Sequence, residues 1–237
     1  MILSRVVIGF GINGLFALLA FGAGSVTLSG ALGGIFIGTW IYSFMGARGF
    51  SILAFFFIFA SLFTRWGYRV KVARGIAQTK GGRRTEREAF ANGTMGALLA
   101  SLVFFMGSFP YQAAFVATFA TAFADTTATE LGPLYGKSAF LIPSFKKVSA
   151  GTPGAVSFVG TLSGIFAASC LTTFAFFLAL IQKGDIPFVI VGSSIGFLAE
   201  SFLARTPLRD HELRNFLNTF FGALATVVLE YLFYARG

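Results

Sequence analysis

Only nine acidic residues occur among 237, and two of them fall within one short segment, 123–138, reading FADTTATELGPLYGKS. Asp125 and Thr129 stand one helical turn apart, as do Thr126 and Glu130. Asp125 and Glu130 do not share a face of an ideal helix, because five residues turn through about 500°. Gly132-Pro133 follows at once, which predicts that the helix ends or unwinds here. An unwound end would let the two carboxylates converge. A third carboxylate, Glu200, sits inside the apolar run GFLAESFLA. Ionisable groups in such surroundings are expensive and mark functional sites. Paired carboxylates suit Mg²⁺, which takes one or two of them together with substrate phosphates.

Three further clusters supply phosphate-binding groups. In AQTKGGRRTEREAFANGTMGA, Lys80, Arg83 and Arg84 flank Gly81-Gly82, and Asn92 opens the next apolar run. The glycines let backbone approach a ligand closely, and Arg suits phosphate geometry. In FKKVSAGTPGAVSFVG, Lys146 and Lys147 precede Gly151-Thr152-Pro153-Gly154 and Ser157. Pro and small residues fit the first turn of a helix, and a glycine-rich turn before a helix is a ready phosphate site. Asn215 and Asn218 share a helix face downstream of Glu200. Carboxylates able to hold a divalent metal, beside groups able to cradle phosphates, are what phosphoryl transfer needs, since it rests on positioning and charge neutralisation.

Other signals lead nowhere. GFGING lacks a preceding strand and sits inside an apolar run, so it is no dinucleotide fingerprint. GPLYGKS is one residue short of a P-loop between its glycines. Asn92-Gly93-Thr94 is a glycosylation sequon, but its place at a span edge favours a polar ligand. His211, between Asp210 and Glu212, reads as an exposed interfacial residue. The single Cys170 excludes an internal disulfide and a cysteine-based metal site.

The elements that position these clusters must lie in a bilayer. Hydrophobic residues make up 56% of the chain, with mean hydropathy +0.80. Charged residues make up 11%, against about 25% in a soluble domain. Backbone in lipid must satisfy its own hydrogen bonds, so the fold class is all-α, a polytopic transmembrane helical bundle. Spans are expected at 6–22, 27–46, 50–64, 89–107, 110–125, 155–181, 187–204 and 215–234, seven or eight in all, with the glycine-rich second and the short fifth open to being broken or re-entrant. The whole chain, 1–237, reads as a single integral-membrane domain: N-terminal spans in 1–64, a basic loop in 65–88 and catalytic core spans in 89–237. If the connections 65–88, 126–154 and 205–214 share one side, that side carries 14 Lys and Arg, including Lys137, Arg205 and Arg209. The other side carries 4: Arg5, Arg48, Lys183 and Arg236. The positive-inside rule places the rich side in the cytoplasm, with both termini outside. The net charge of +9 suits anionic membrane lipids or a phosphorylated substrate, and no soluble module exists to bind nucleic acid. Gly30/Gly34, Gly34/Gly38, Gly160/Gly164 and Gly192/Gly196 have the spacing of close helix packing.

GGR…ANG, ADTTATELG and SAGTPGAVSFVG, in this order, resemble an integral-membrane family that includes the phytyl-phosphate kinases of tocopherol and chlorophyll-phytol salvage. That family was long filed as a domain of unknown function, with a transmembrane-protein-nineteen-like label. The likeness runs from about Gln78 to Asn218. It implies CTP-dependent phosphorylation of a prenyl monophosphate to the diphosphate, with a divalent metal such as Mg²⁺. Asp125 and Glu130 fall on the acidic positions of its central signature. Gly151, Thr152, Gly154 and Ser157 fall on its glycine-threonine signature, Asn92 on its NG position, and Asn215 and Asn218 on its late Asn-rich segment. Where the family has a DSLLGA-like segment, this chain reads Glu200-Ser-Phe-Leu-Ala-Arg, with the carboxylate lengthened and a glycine lost.

The resulting expectation is a membrane lipid-phosphate kinase. Asp125 and Glu130, with Glu200 as a further candidate, would hold the metal. Lys80, Arg83, Asn92, Lys146, the Gly151–Gly154 turn, Ser157, Asn215 and Asn218 would bind nucleotide and phosphate. The same residues also suit a cytidylyltransferase making a CDP-lipid, and broken helices with intramembrane carboxylates suit an ion-coupled transporter.

Overall fold

The computed structural model describes residues 2–136, 138–142, 144–149, 151–152, 154–204, 206 and 210–234. Lys137, Pro153, Arg205, Arg209 and Arg236, which entered the reading above, lie outside the described residues. Helices dominate, as expected of a transmembrane bundle: α1 (Ile2–Gly22), α2 (Leu28–Arg65), the short α3 (Tyr68–Ala73), α4 (Glu86–Met106), α5 (Tyr111–Tyr135), α6 (Phe158–Phe177), α7 (Ile186–Leu203) and α8 (His211–Tyr234). Among the described residues, six helices are long and apolar enough to cross a bilayer.

The spans expected at 27–46 and 50–64 are the two limbs of α2. A straight helix of its 38 residues would reach about 57 Å. Yet both ends of α2 lie at the α1–α2 connection. The N-cap Thr27 donates its backbone N–H to the Arg84 carbonyl, and Arg65 Nη2 donates to the Ala23 carbonyl at 2.7 Å. The chain reverses at Gly46, whose φ of 64° and ψ of −159° no helix contains. Gly9 of α1 packs on Tyr42 and Asn13 on Gly38, while Phe16 stacks edge-on against Phe50 and Phe57. Thus α1 runs antiparallel to the first limb and parallel to the second.

Contacts between distant loops fix the sidedness. Trp66 Nε1 donates to the Tyr135 hydroxyl at 2.7 Å, Lys71 pairs with Glu130, and Arg87 meets Asp210 at 2.8 Å. The described parts of the connections 66–85, 136–157 and 204–210 therefore share one face, as the charge count supposed. At the other face Phe109 packs edge-on against Tyr231 and Tyr234, and the Tyr234 hydroxyl donates to Asp185. Both ends of the described chain lie there.

α5 stands in the middle, against α2, α4, α6, α7 and α8. Sixteen of its 25 residues are buried, so it meets protein rather than lipid and can be rich in Thr and Ala. Two sequence expectations need correction here. The fifth span does not end at 125, and Gly132-Pro133 does not unwind it. Pro133 falls within three residues of the helix end, where it removes one intrahelical bond, and the last turn closes by Gly136 N–H donating to the Gly132 carbonyl at 2.7 Å. The sixth span does not start at 155. Its N-cap is Ser157, whose Oγ accepts from Gly160 N–H at 3.0 Å. The connection before it pairs into a small antiparallel sheet in the order β2-β1-β3, built from β1 (Ala139–Leu141), β2 (Lys146–Val148) and β3 (Ala155–Val156).

Small residues bring the backbones together. A Cβ on Gly196 would lie 2.6 Å from the Asn218 carbonyl oxygen and 2.8 Å from the Gly222 Cα, so α7 and α8 touch backbone to backbone. Gly160 and Gly164 press on the Ala128 and Ala124 carbonyls of α5 in the same way. Gly34 differs, because a Cβ there meets nothing within 4 Å. Gly196→Val is expected to lower stability by about 1–3 kcal/mol through overpacking. Gly34→Ala is expected to leave it unchanged or slightly raised. Thermal unfolding of the purified variants in detergent checks both.

Candidate functional site

At the loop-rich face, the ends of α5, α6, α7 and α8 enclose a cleft of about 240 Å³. α5 contributes Asp125, Thr129 and Gly132; α6 contributes Gly160 and its cap Ser157; α7 contributes Phe197 and Glu200; α8 contributes His211 and Arg214. The loop residues Gly151, Thr152 and Gly154 close it. Helical spacing accounts for the face of α5: positions 125, 129 and 132 follow one stripe. Thr129 turns its hydroxyl back to the Asp125 carbonyl at 2.9 Å, which leaves the Asp125 carboxylate to the cleft. Gly151 and Gly154 have φ of 88° and 75°, and the turn is held by Thr152 Oγ1 donating to the Ser149 carbonyl at 2.7 Å.

The cleft carries charge in a confined place. Arg214 Nε lies 3.3 Å from Glu200 Oε1, and both side chains are nearly buried. Asp125 has Glu200, Arg214 and Arg84 as its charged neighbours. Asn218, wholly buried, is directed loosely at the Asp125 carboxylate, and neither end of its amide makes a close hydrogen bond with protein. Asn215 Oδ1 is buried and unpartnered too. Buried polar groups in folded proteins are nearly always satisfied, so such orphans beside carboxylates point to a ligand. Among the described residues no three His, Cys, Asp or Glu side chains gather into a cage. Asp125 and Glu200 facing one cleft fit a Mg²⁺ that draws its remaining oxygens from substrate phosphates.

Several expectations change. The convergence of Asp125 and Glu130 does not occur, because α5 stays helical and keeps them on different faces. Glu130 is instead buried in an ion pair with Lys71, whose ammonium also donates to the Phe63 carbonyl at 2.8 Å and the Thr64 carbonyl at 3.2 Å. Glu200 is the carboxylate that accompanies Asp125. Lys80 and Arg83 do not line the cleft. The strand-like bridge between Val26 and Arg84 pins their turn, Thr79–Gly82, to the α1–α2 connection, where Arg83 lies near Gly24. Lys146 is exposed on β2. Asn92 is buried, donates to the Glu88 carbonyl at 3.0 Å and lines a separate slot against α1 and α2. The turn of Thr152 reaches α6 only through β3, so it is not the helix's own first turn, and the Ser157 hydroxyl is taken up as the cap.

Two lining residues were missed as site members, His211 and Arg214, while Arg84, read as part of the basic cluster, is a charged neighbour of Asp125 without lining the cleft. His211 is exposed, as expected, but it forms the mouth of the cleft, with Nδ1 3.4 Å from Asn215 Nδ2. The signal was available, since 211, 214, 215 and 218 make one helical stripe. It was lost because the last span was started at 215 and not at 211. Asp210 caps that earlier start: its carboxylate accepts from the backbone N–H groups of Leu213 and Glu212, and these bonds hold it below the usual carboxylate range.

Lys71→Met would strand a buried carboxylate and is expected to cost about 3–5 kcal/mol. Lys71→Met combined with Glu130→Gln should regain most of that loss, as read by thermal unfolding of the three proteins in one detergent.

Residues 11–206 match the family described as integral membrane protein DUF92, and the chain belongs to that family. It is similar to an uncharacterized membrane protein of Synechocystis, with 35% identity over 82% of this chain and 78% of the relative. Another relative, the chloroplastic protein VTE6 of Arabidopsis thaliana, is 29% identical over 86% of this chain and 65% of its own length. An uncharacterized membrane protein of Methanocaldococcus jannaschii is 30% identical over 84% of each chain. No solved structure matches the chain.

Proposed function

We propose that this member of the DUF92 family is a multi-pass membrane kinase that converts a prenyl monophosphate of the phytyl type to its diphosphate, with CTP as phosphoryl donor. The observation that carries the reading is the meeting of Asp125, Glu200 and Arg214 with the Gly151–Gly154 turn in one cleft at the loop-rich face. Its likeness to the chloroplast protein and the central acidic signature point the same way.

In this reading Asp125 and Glu200 would hold Mg²⁺, which would supply charge neutralisation to the phosphate oxygens. Arg214 sits where it can donate to a nucleotide phosphate while its pairing with Glu200 keeps that carboxylate oriented. The backbone of the Thr152 turn approaches closely because its glycines carry no Cβ. The acceptor is a phosphate oxygen, already anionic, so the chain needs no strong general base. The cleft is closed by loop residues and the helix ends of the loop-rich face, which suits a water-soluble nucleotide meeting a lipid. We assign the loop-rich face to the cytoplasm from its excess of Lys and Arg.

Asp125→Asn is expected to lower prenyl diphosphate formation by at least about a hundredfold while the protein still inserts and purifies. Glu200→Gln should do the same, and Glu130→Gln should act mainly on stability. The assay is turnover of purified protein with prenyl monophosphate and each nucleoside triphosphate, with product analysis. Release of CDP supports the kinase. Release of pyrophosphate means cytidylyl transfer, and full activity in Asp125→Asn overturns the assignment.

A further inference from the structure

A second cavity lies between α1, both limbs of α2 and the start of α4. Its walls are mainly apolar, with Ala17, Ala20, Ala31 and Gly34 among phenylalanines, and the cavity measures about 80 Å³. One end is polar. There Arg84 lies with its guanidinium carbon 5.5 Å from the centre of the Phe56 ring, and its Nε is buried without a hydrogen-bond partner. Among the described residues no ion pair to Arg84 forms, although Glu88, Glu130 and Asp125 are all near enough to feel its charge. Burial pushes the Arg84 guanidinium below its ordinary pKa, and those three carboxylates only partly offset it. A half-buried cation with an unpartnered donor gains most from an anion bonded directly to it.

We infer that this slot holds the head-proximal part of the hydrocarbon chain of a single-chain lipid phosphate, with Arg84 gripping the phosphate at its polar end and the rest of the chain running out along the bundle. The inference rests on the proposed kinase reading in one respect: it identifies that lipid with the phosphoryl acceptor. Arg84 is the right bridge for such a molecule, because it lines the slot and also counts Asp125 of the cleft among its charged neighbours. The slot suits a hydrocarbon because small side chains leave room and apolar walls gain from burying it. Arg suits the head because a guanidinium bonds a phosphate through two parallel N–H groups, which Lys cannot do.

The test is equilibrium binding of radiolabelled geranylgeranyl monophosphate and of geranylgeraniol to the purified full chain in detergent. Arg84→Gln should weaken binding of the phosphate by about tenfold or more and leave the alcohol unchanged. Arg84→Lys should fall between. Gly34→Leu, placed where a side chain meets no neighbour, should weaken both ligands about tenfold while thermal stability and CTP binding stay at the wild-type level. Wild-type affinity for the phosphate in both Arg84→Gln and Gly34→Leu overturns the inference, including when turnover is intact. The expected binding pattern without nucleotide-dependent turnover leaves the slot standing and removes the kinase reading instead. Mass spectrometry of extracted lipid settles the source. A bilayer phospholipid that co-purifies, disappears in Arg84→Gln and resists displacement by the prenyl phosphate would overturn the acceptor assignment.

Discussion

An ammonium and a carboxylate, both almost wholly removed from solvent, tie the basic connection to the central helix. Lys71 reaches from α3 to Glu130 on α5, and on the way its remaining protons satisfy the last carbonyls of α2. Each ion would be ruinous alone in such surroundings, and together with those carbonyls the pair is tolerable. The pairing also decides what the other acidic residue of the same signature can do. With Glu130 consumed in anchoring, Asp125 has to find its companion across the bundle, on α7. The chemistry of the cleft thus depends on an interaction that takes no part in it.

The bundle is arranged around α5 for a related reason. A helix carrying Asp125, Glu130 and several threonines cannot face hydrocarbon, so its neighbours must enclose it. They do so by backbone contact, through Gly160 and Gly164 on α6, and α7 and α8 close on each other through Gly192, Gly196 and Gly222. Close approach leaves little room for side chains between helices. The unfilled volume is therefore pushed to the ends and edges, where the cleft and the slot against α1 are found.

Much of this was legible in the chain. Hydropathy was enough for the helical class and the apolar spans, and the asymmetry of Lys and Arg made a shared face for the three basic connections the consistent supposition. Asp125, the glycine-threonine turn and Glu200 could be picked out because charge and turn chemistry stand out against an apolar background. What stayed hidden depended on tertiary partners. Glu130 and Asp125 look alike in sequence, and only the packing of α3 shows that one of them already has a cation. Pro133 looks like a break, but so near a helix end it costs a single bond. Arg84 reads as one more basic loop residue beside Arg83, until the bridge to Val26 turns one of them inward and the other out. His211 and Arg214 were lost through a boundary placed four residues late.

The reversal at Gly46 carries a consequence for parity. A chain threaded through a bilayer changes side with every crossing, so the address of each later loop is set by an odd or even count. Were α2 a single continuous crossing, all that follows would be inverted, and the acidic cleft would open toward the opposite compartment from the α1–α2 connection. One residue able to hold a positive φ thus sets the orientation of everything downstream of it.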